Sequence, residues 1–242
     1  MCSRIHIIEY DYCREYAFKM FSESFTLLLS VVDIVGTVAF AVSGVLVGIR
    51  NRLDLFGIYV LAVITASGGG IIRDVVIGRT VPVFFTEWRY FAAITVSMII
   101  TCILYRIVNR MFSVIILFDA IGLGVFTVTA TYKAVGYGMP LLGVVFAGVI
   151  TGVGGGILRD ILVNEIPFIF RSEIYAIPSI GGSLLFYLLH HSGKLNVNVN
   201  TYVCVAVIVA IRLISVKFGL NLPTFNREAG NKNGGASRKK MK

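Results

Sequence analysis

Thr65-Ala66-Ser67-Gly68-Gly69-Gly70-Ile71-Ile72-Arg73-Asp74 returns 86 positions later as Thr151-Gly152-Val153-Gly154-Gly155-Gly156-Ile157-Leu158-Arg159-Asp160. Both copies lie inside long apolar runs. Three consecutive glycines disfavour a helix by about 1 kcal/mol each against alanine. The Arg-Asp pair that follows would not be left unpaired in hydrocarbon. The pattern predicts two membrane helices broken at their glycine triplets and facing each other across a polar path.

The register extends well beyond the motif. The same offset joins Asp33 to Asp119, Gly36 to Gly122, Phe40 to Phe126 and Gly57 to Gly143, without a gap over 33–78 and 119–164. Three spans therefore repeat as three more. An odd number of spans per copy inserts the second copy upside down, the inverted-repeat plan of many transport proteins.

Composition sets the class. Hydrophobic residues make up 57% of the 242 and charged residues 14%, where soluble domains carry about 25%, and the mean hydropathy is +0.84. Apolar runs fall near 26–49, 55–77, 90–108, 113–135, 140–163, 174–190 and 199–218, each close to the ~20 residues that cross a bilayer. The expected fold is an all-α integral membrane protein with seven transmembrane helices. It comprises a first repeat (25–112), an inverted second repeat (113–192) and a seventh helix (193–220). A polar extension (1–24) precedes them, with Met20 an alternative start, and a basic disordered tail (221–242) follows.

The net charge of +9 is placed in loops and tail rather than in a basic patch with aromatics, so nucleic acid is not an expected partner. Arg50, Arg52, Arg106, Arg110 and the tail fall on one side, which positive-inside assigns to the cytoplasm, with the N-terminus outside. Membrane lipid is the expected surroundings. Cys2, Cys13, Cys102 and Cys204 form no CxxC pair, and the three histidines lack zinc-ligand spacing. No cofactor is expected. No nucleophile–base pair or phosphate-binding loop points to an enzyme.

The candidate site follows from the break. Carbonyls freed at Gly68, Gly69, Gly70, Gly154, Gly155 and Gly156 would face protein, water or a weakly hydrated cation such as K⁺. Thr65, Ser67 and Thr151 would add hydroxyls. The competing reading is that the glycines only let helices approach closely. Depth along antiparallel spans puts Asp33 level with Arg73 toward the outer side, and Asp119 level with Arg159 toward the inner side. Ion pairs are expected there, with the adjacent Arg73–Asp74 pairing as the local competitor. Asp33, Arg73, Asp74, Asp119, Arg159 and Asp160 then either line a pore or form a structural clamp. Phe84, Phe85, Trp88 and Tyr90 read as interface anchors and Lys133 as a snorkelling side chain. Pro82 and Pro167 read as terminators of the broken helices.

The doubled Gly-Gly-Gly-x-x-Arg-Asp, with Asp-x-x-Gly opening each repeat, resembles the prokaryotic branch of the trimeric intracellular cation (TRIC) channel family, over about residues 26–218. The resemblance implies a homotrimer with one ion pathway inside each subunit. It also implies K⁺ conduction and second and fifth spans kinked at Gly68–Gly70 and Gly154–Gly156. The same sequence group also carries a glycine-transporter label. Animal members bind acidic lipid through a basic motif on the fourth span. Only Lys133 stands there in this chain, so lipid regulation is not carried over. The resulting expectation is a monovalent-cation channel in the plasma (inner) membrane, with a secondary transporter of a small solute such as glycine as the alternative.

Overall fold

The computed structural model describes residues 23–79, 81–108, 113–171, 174–193 and 195–220. Most of the expected N-terminal extension, the basic tail, Arg110 and Lys194 lie outside the described residues, as do the side chains of 23–28, 106–108, 113 and 171. The described residues hold nine helices: α1 (Glu23–Arg50), α2 (Leu55–Val76), α3 (Val83–Thr86), α4 (Trp88–Val108), α5 (Ser113–Gly136), α6 (Leu141–Leu162), α7 (Phe168–Arg171), α8 (Ile177–Ser192) and α9 (Val197–Phe218). Six of them are long and apolar enough to cross a membrane. The exception among the seven long helices is α8. Its 16 residues start late, because Pro178 sits in its first turn, and stop at Gly193 in the left-handed region. At 1.5 Å per residue it is about 24 Å long, short of a ~30 Å hydrocarbon core.

The turns carry the repeat as faithfully as the helices. Backbone φ is positive at Arg52 and Gly138, and again at Gly78 and Asn164, each pair 86 positions apart. Helices α2 and α6 end in the same way: the amide of Arg79 bonds the carbonyl of Asp74, and the amide of Glu165 bonds that of Asp160, both at 2.9 Å. These six-to-one closures with a left-handed residue terminate the helices. The expected terminators Pro82 and Pro167 come later and instead precede the short helices α3 and α7. Arg52 has φ 57° where its counterpart is glycine, a conformation costing an L-residue roughly 1–2 kcal/mol. Arg52→Gly is expected to raise the apparent melting temperature in detergent. Asn164→Gly, where asparagine already tolerates the left-handed region, should leave it nearly unchanged.

The core is a ring of four helices in which α1 packs on α2 and α5, and α6 packs on α2 and α5. Helix α4 lies against α1 as α8 lies against α5, and α9 covers α5 and α8. Contacts across the ring are reciprocal, as a pseudo-twofold axis requires. A Cβ on Gly36 would meet the Phe126 ring, and one on Gly122 would meet the Phe40 ring, both at 2.8–2.9 Å. Those two rings touch each other, with centroids 5.3 Å apart.

The glycine triplets overturn one expectation. Both α2 and α6 are α-helical without interruption through 68–70 and 154–156. Their carbonyls therefore accept intrahelical bonds and are not freed for an ion. The reason lies in the crossing of α2 over α6. A Cβ on Gly69 would strike the carbonyl oxygen of Thr151, and one on Gly155 would strike that of Thr65. The two backbones touch where only hydrogen separates them. In a bilayer, broken backbone bonds have no water to replace them, so a continuous helix with a bare crossing is the better solution.

Candidate functional site

The charged motif residues gather into two clusters related by the pseudo-twofold axis, one around Asp33 and one around Asp119. In the first, Arg73 Nε donates to Asp74 Oδ1 at 2.9 Å, and its Nη1 reaches Asp33 at 3.4 Å. In the second, Arg159 Nε donates to Asp160 Oδ1 at 2.8 Å, and Nη1 donates to Asp119 Oδ1 at 2.7 Å. The long-range pairs and the adjacent pairs therefore coexist, each arginine bridging both carboxylates. All six groups are buried.

The second oxygen of each adjacent aspartate holds the chain that follows. Asp74 Oδ2 accepts the amide of Val83 at 2.8 Å, and Asp160 Oδ2 accepts that of Phe168 at 3.0 Å. The register slips here from 86 to 85, because the second connection is one residue shorter. Each cluster also takes a hydroxyl from the opposite repeat. Thr129 donates to Asp33 Oδ1 at 3.0 Å, and Ser43 accepts from Arg159 Nη1 at 2.5 Å. The two positions are 86 apart, so the repeat register could have found them.

The clusters are not identical. Lys133 on α5 donates to Asp33 Oδ2 at 3.0 Å, and Tyr90 on α4 donates to the same oxygen at 3.3 Å. The expected roles of Lys133 as a snorkelling residue and Tyr90 as an interface anchor are thereby corrected. A carboxylate within reach in protein holds the ammonium more strongly than the headgroup region would. Trp88 and Phe85 do remain exposed. With Lys133 the first cluster has two acids and two bases. The second has two acids and one arginine. A further cation, Arg212 on α9, is buried with its guanidinium 4.5 Å from the centre of the Tyr175 ring. Arg212 was not among the sequence candidates. The signal was present, as the charge furthest inside the last apolar run.

The candidate hydroxyls do something plainer. Thr65, Ser67 and Thr151 each donate to the carbonyl four residues earlier on their own helix, at 2.6–2.7 Å. They are turned into the helix rather than toward the charges.

Comparison with known proteins fits this architecture. The family model described as Glycine transporter matches residues 30–106 and again 116–191, two matches whose starts are 86 positions apart. A UPF0126 membrane protein of Vibrio cholerae is 39% identical over 205 residues, covering 83% of this chain and 84% of that protein. The UPF0126 inner membrane protein YadS of Escherichia coli K12 is 40% identical over 202 residues, covering 82% and 97%. Among solved structures, a prokaryotic TRIC channel crystallised in 0.5 M KCl superposes with a TM-score of 0.76 at 32% identity, over 82% of this chain and all of that one. The TRIC trimeric intracellular cation channel orthologue from Rhodobacter sphaeroides gives 0.72 at 31% identity, over 80% and 99%. These structural neighbours are channels.

Proposed function

The chain belongs to the membrane-protein family described as Glycine transporter, and from that membership and its TRIC-like structure we propose that it is a monovalent-cation channel conducting K⁺. The path runs inside each subunit of a homotrimer, along the clusters of Asp33, Arg73 and Asp74 and of Asp119, Arg159 and Asp160. The observation that carries this reading is the likeness to TRIC cation channels over nearly their whole length. Two mirrored networks of buried charge support it, since charged groups inside a membrane mark ion paths more often than they mark stability. The chain sits in the inner membrane among lipid, with the N-terminus outside and the tail in the cytoplasm.

The second reading, a secondary transporter of a small solute such as glycine, is favoured by the family's description and by the inverted repeat itself. Planar-bilayer recording of the purified protein in asymmetric KCl separates the two. A channel gives discrete unitary currents whose reversal potential lies toward that of K⁺. A silent bilayer, with saturable glycine uptake into liposomes from the same preparation, assigns the transporter.

A further inference from the structure

Besides Lys133, the two halves of the molecule place one pair of equivalent residues differently. Tyr90 and Tyr175 correspond in the 85-residue register set by Val83 and Phe168. Tyr90 sits on α4, half-buried, with its hydroxyl on Asp33. Tyr175 sits in the non-helical link between α7 and α8 and is 1% exposed. Its hydroxyl lies 2.7 Å from where a Cβ on Gly156 would stand, with Asp119 Oδ1 at 3.4 Å from the same point. Beside Gly70, the counterpart of Gly156, the nearest atom to such a Cβ is Arg73 Nη2 at 3.8 Å. The third glycine is covered by a tyrosine in one half and bare in the other.

Burial follows the same division at the third glycine. Gly70 is partly exposed where Gly156 is buried, while Ile71 and Ile72 are partly exposed just as their counterparts Ile157 and Leu158 are. The Lys133 side chain is 19% exposed, so the Asp33 cluster reaches the surface. The rest of the motif is buried alike in both halves, Gly68 and Gly69 as Gly154 and Gly155, with Arg73 2% and Arg159 0% exposed.

What holds Tyr175 is Arg212. Its guanidinium lies over the ring, and its Nη1 donates to the carbonyl of Ile174 at 3.4 Å, so it grips two consecutive residues of the link. Among the described residues Arg212 forms no ion pair, and its Nε has no hydrogen-bond partner. An arginine buried in a membrane helix without a carboxylate is costly, and such residues are kept for what they do. Helix α9 lies outside the repeat, so the Asp33 half has no counterpart to this grip.

We propose that Arg212 is a positioning residue that holds Tyr175 over Gly156 and thereby closes the Asp119 half of the molecule while the Asp33 half stands open. The inference rests on the reading that ions pass along the two clusters. Releasing the tyrosine opens the closed half.

The test uses the full chain with its four cysteines replaced and a single reporter thiol, introduced by Ser43→Cys in the Asp119 cluster or by Thr129→Cys in the Asp33 cluster. Proteoliposomes are treated from each side with a membrane-impermeant cationic methanethiosulfonate. In Arg212→Met and in Tyr175→Ala, the thiol at position 43 should react at least tenfold faster than in the parent, from one side only. The thiol at position 129 should change less than twofold. Tyr175→Phe keeps the ring and should stay closed. A merely structural arginine would lower the yield of monodisperse protein without opening one side. Unchanged reactivity at position 43 in monodisperse Arg212→Met or Tyr175→Ala overturns the proposal. If Arg212→Met does not fold, Tyr175→Ala decides alone. Thiol reactivity needs no current. A one-sided gain in a protein silent in K⁺ therefore upholds the closure and sinks the channel reading. Wild-type K⁺ current with no gain does the reverse.

Discussion

Gly155→Ala and Gly69→Ala are each expected to abolish most of the folded, monodisperse protein, or to lower its apparent melting temperature sharply, while Gly70→Ala is nearly silent. The three residues are alike in sequence context, each within a glycine triplet, and differ in what a methyl group would meet. At Gly155 it meets the carbonyl oxygen of Thr65, and at Gly69 that of Thr151. A backbone oxygen inside a hydrogen-bonded helix cannot rotate away as a side chain can, so α2 and α6 must separate. That separation loosens the reciprocal contact at the centre of the four-helix ring. Overpacking a tight site costs about 1–3 kcal/mol and more where backbone must shift, and this crossing belongs at the upper end. At Gly70 the nearest atom is the end of a flexible arginine at 3.8 Å. There the change should be offset by better helix propensity, about 1 kcal/mol. Thermal aggregation assays and size exclusion in detergent check the ordering. They report kinetic stability, the relevant quantity where unfolding is irreversible. Equal losses at 69, 70 and 155 would mean that the glycines serve backbone flexibility rather than the crossing.

Much of this was legible before the structure. A gapless 86-residue register is visible by inspection, and the inverted packing follows from an odd number of spans in each copy. The Asp33–Arg73 and Asp119–Arg159 pairs follow from depth along antiparallel helices. The glycine triplets were legible as a special site but not as to which use prevailed. Propensity measured in water disfavours a helix through Gly68–Gly70. Only the facing triplet on α6, remote in sequence, makes the continuous helix pack. Lys133 and Tyr90 were hidden for a similar reason. Each lies near the end of an apolar run, where lipid anchoring explains it, and its partner Asp33 is 100 or 57 residues away. Arg212 had no repeat counterpart to mark it, and its contacts run to an aromatic face and a carbonyl rather than to an acid.

Asp119→Asn and Asp33→Asn remove the same group from the two clusters, and their effects should diverge. At position 119 the loss leaves Arg159, 0% exposed, with Asp160 as its remaining carboxylate and Ser43 as its remaining hydroxyl. Asp160 still offsets the arginine's charge, so what is lost is the 2.7 Å charge-assisted hydrogen bond in a fully buried site, about 1–3 kcal/mol. At position 33 the loss strands Lys133, whose side chain is 19% exposed and can turn to water, while Arg73 keeps Asp74. Asp119→Asn should therefore be the more destabilising, and Asp33→Asn the better folded of the two. A combined variant then separates a clamp from a path. Asp119→Asn, Arg159→Met and Asp160→Asn together strip all charge from that cluster, and replacing a whole buried network by uncharged groups is often neutral or stabilising. A structural clamp predicts that this triple variant regains most of the stability lost in Asp119→Asn, with unit conductance and selectivity as in wild type. A pore-lining network predicts regained stability with conductance reduced at least tenfold, since the permeant cation then crosses that half without fixed charge to offset its lost hydration. Stability and conductance move together in one case and part in the other, so a melting curve and a single-channel recording on the same preparation decide between them.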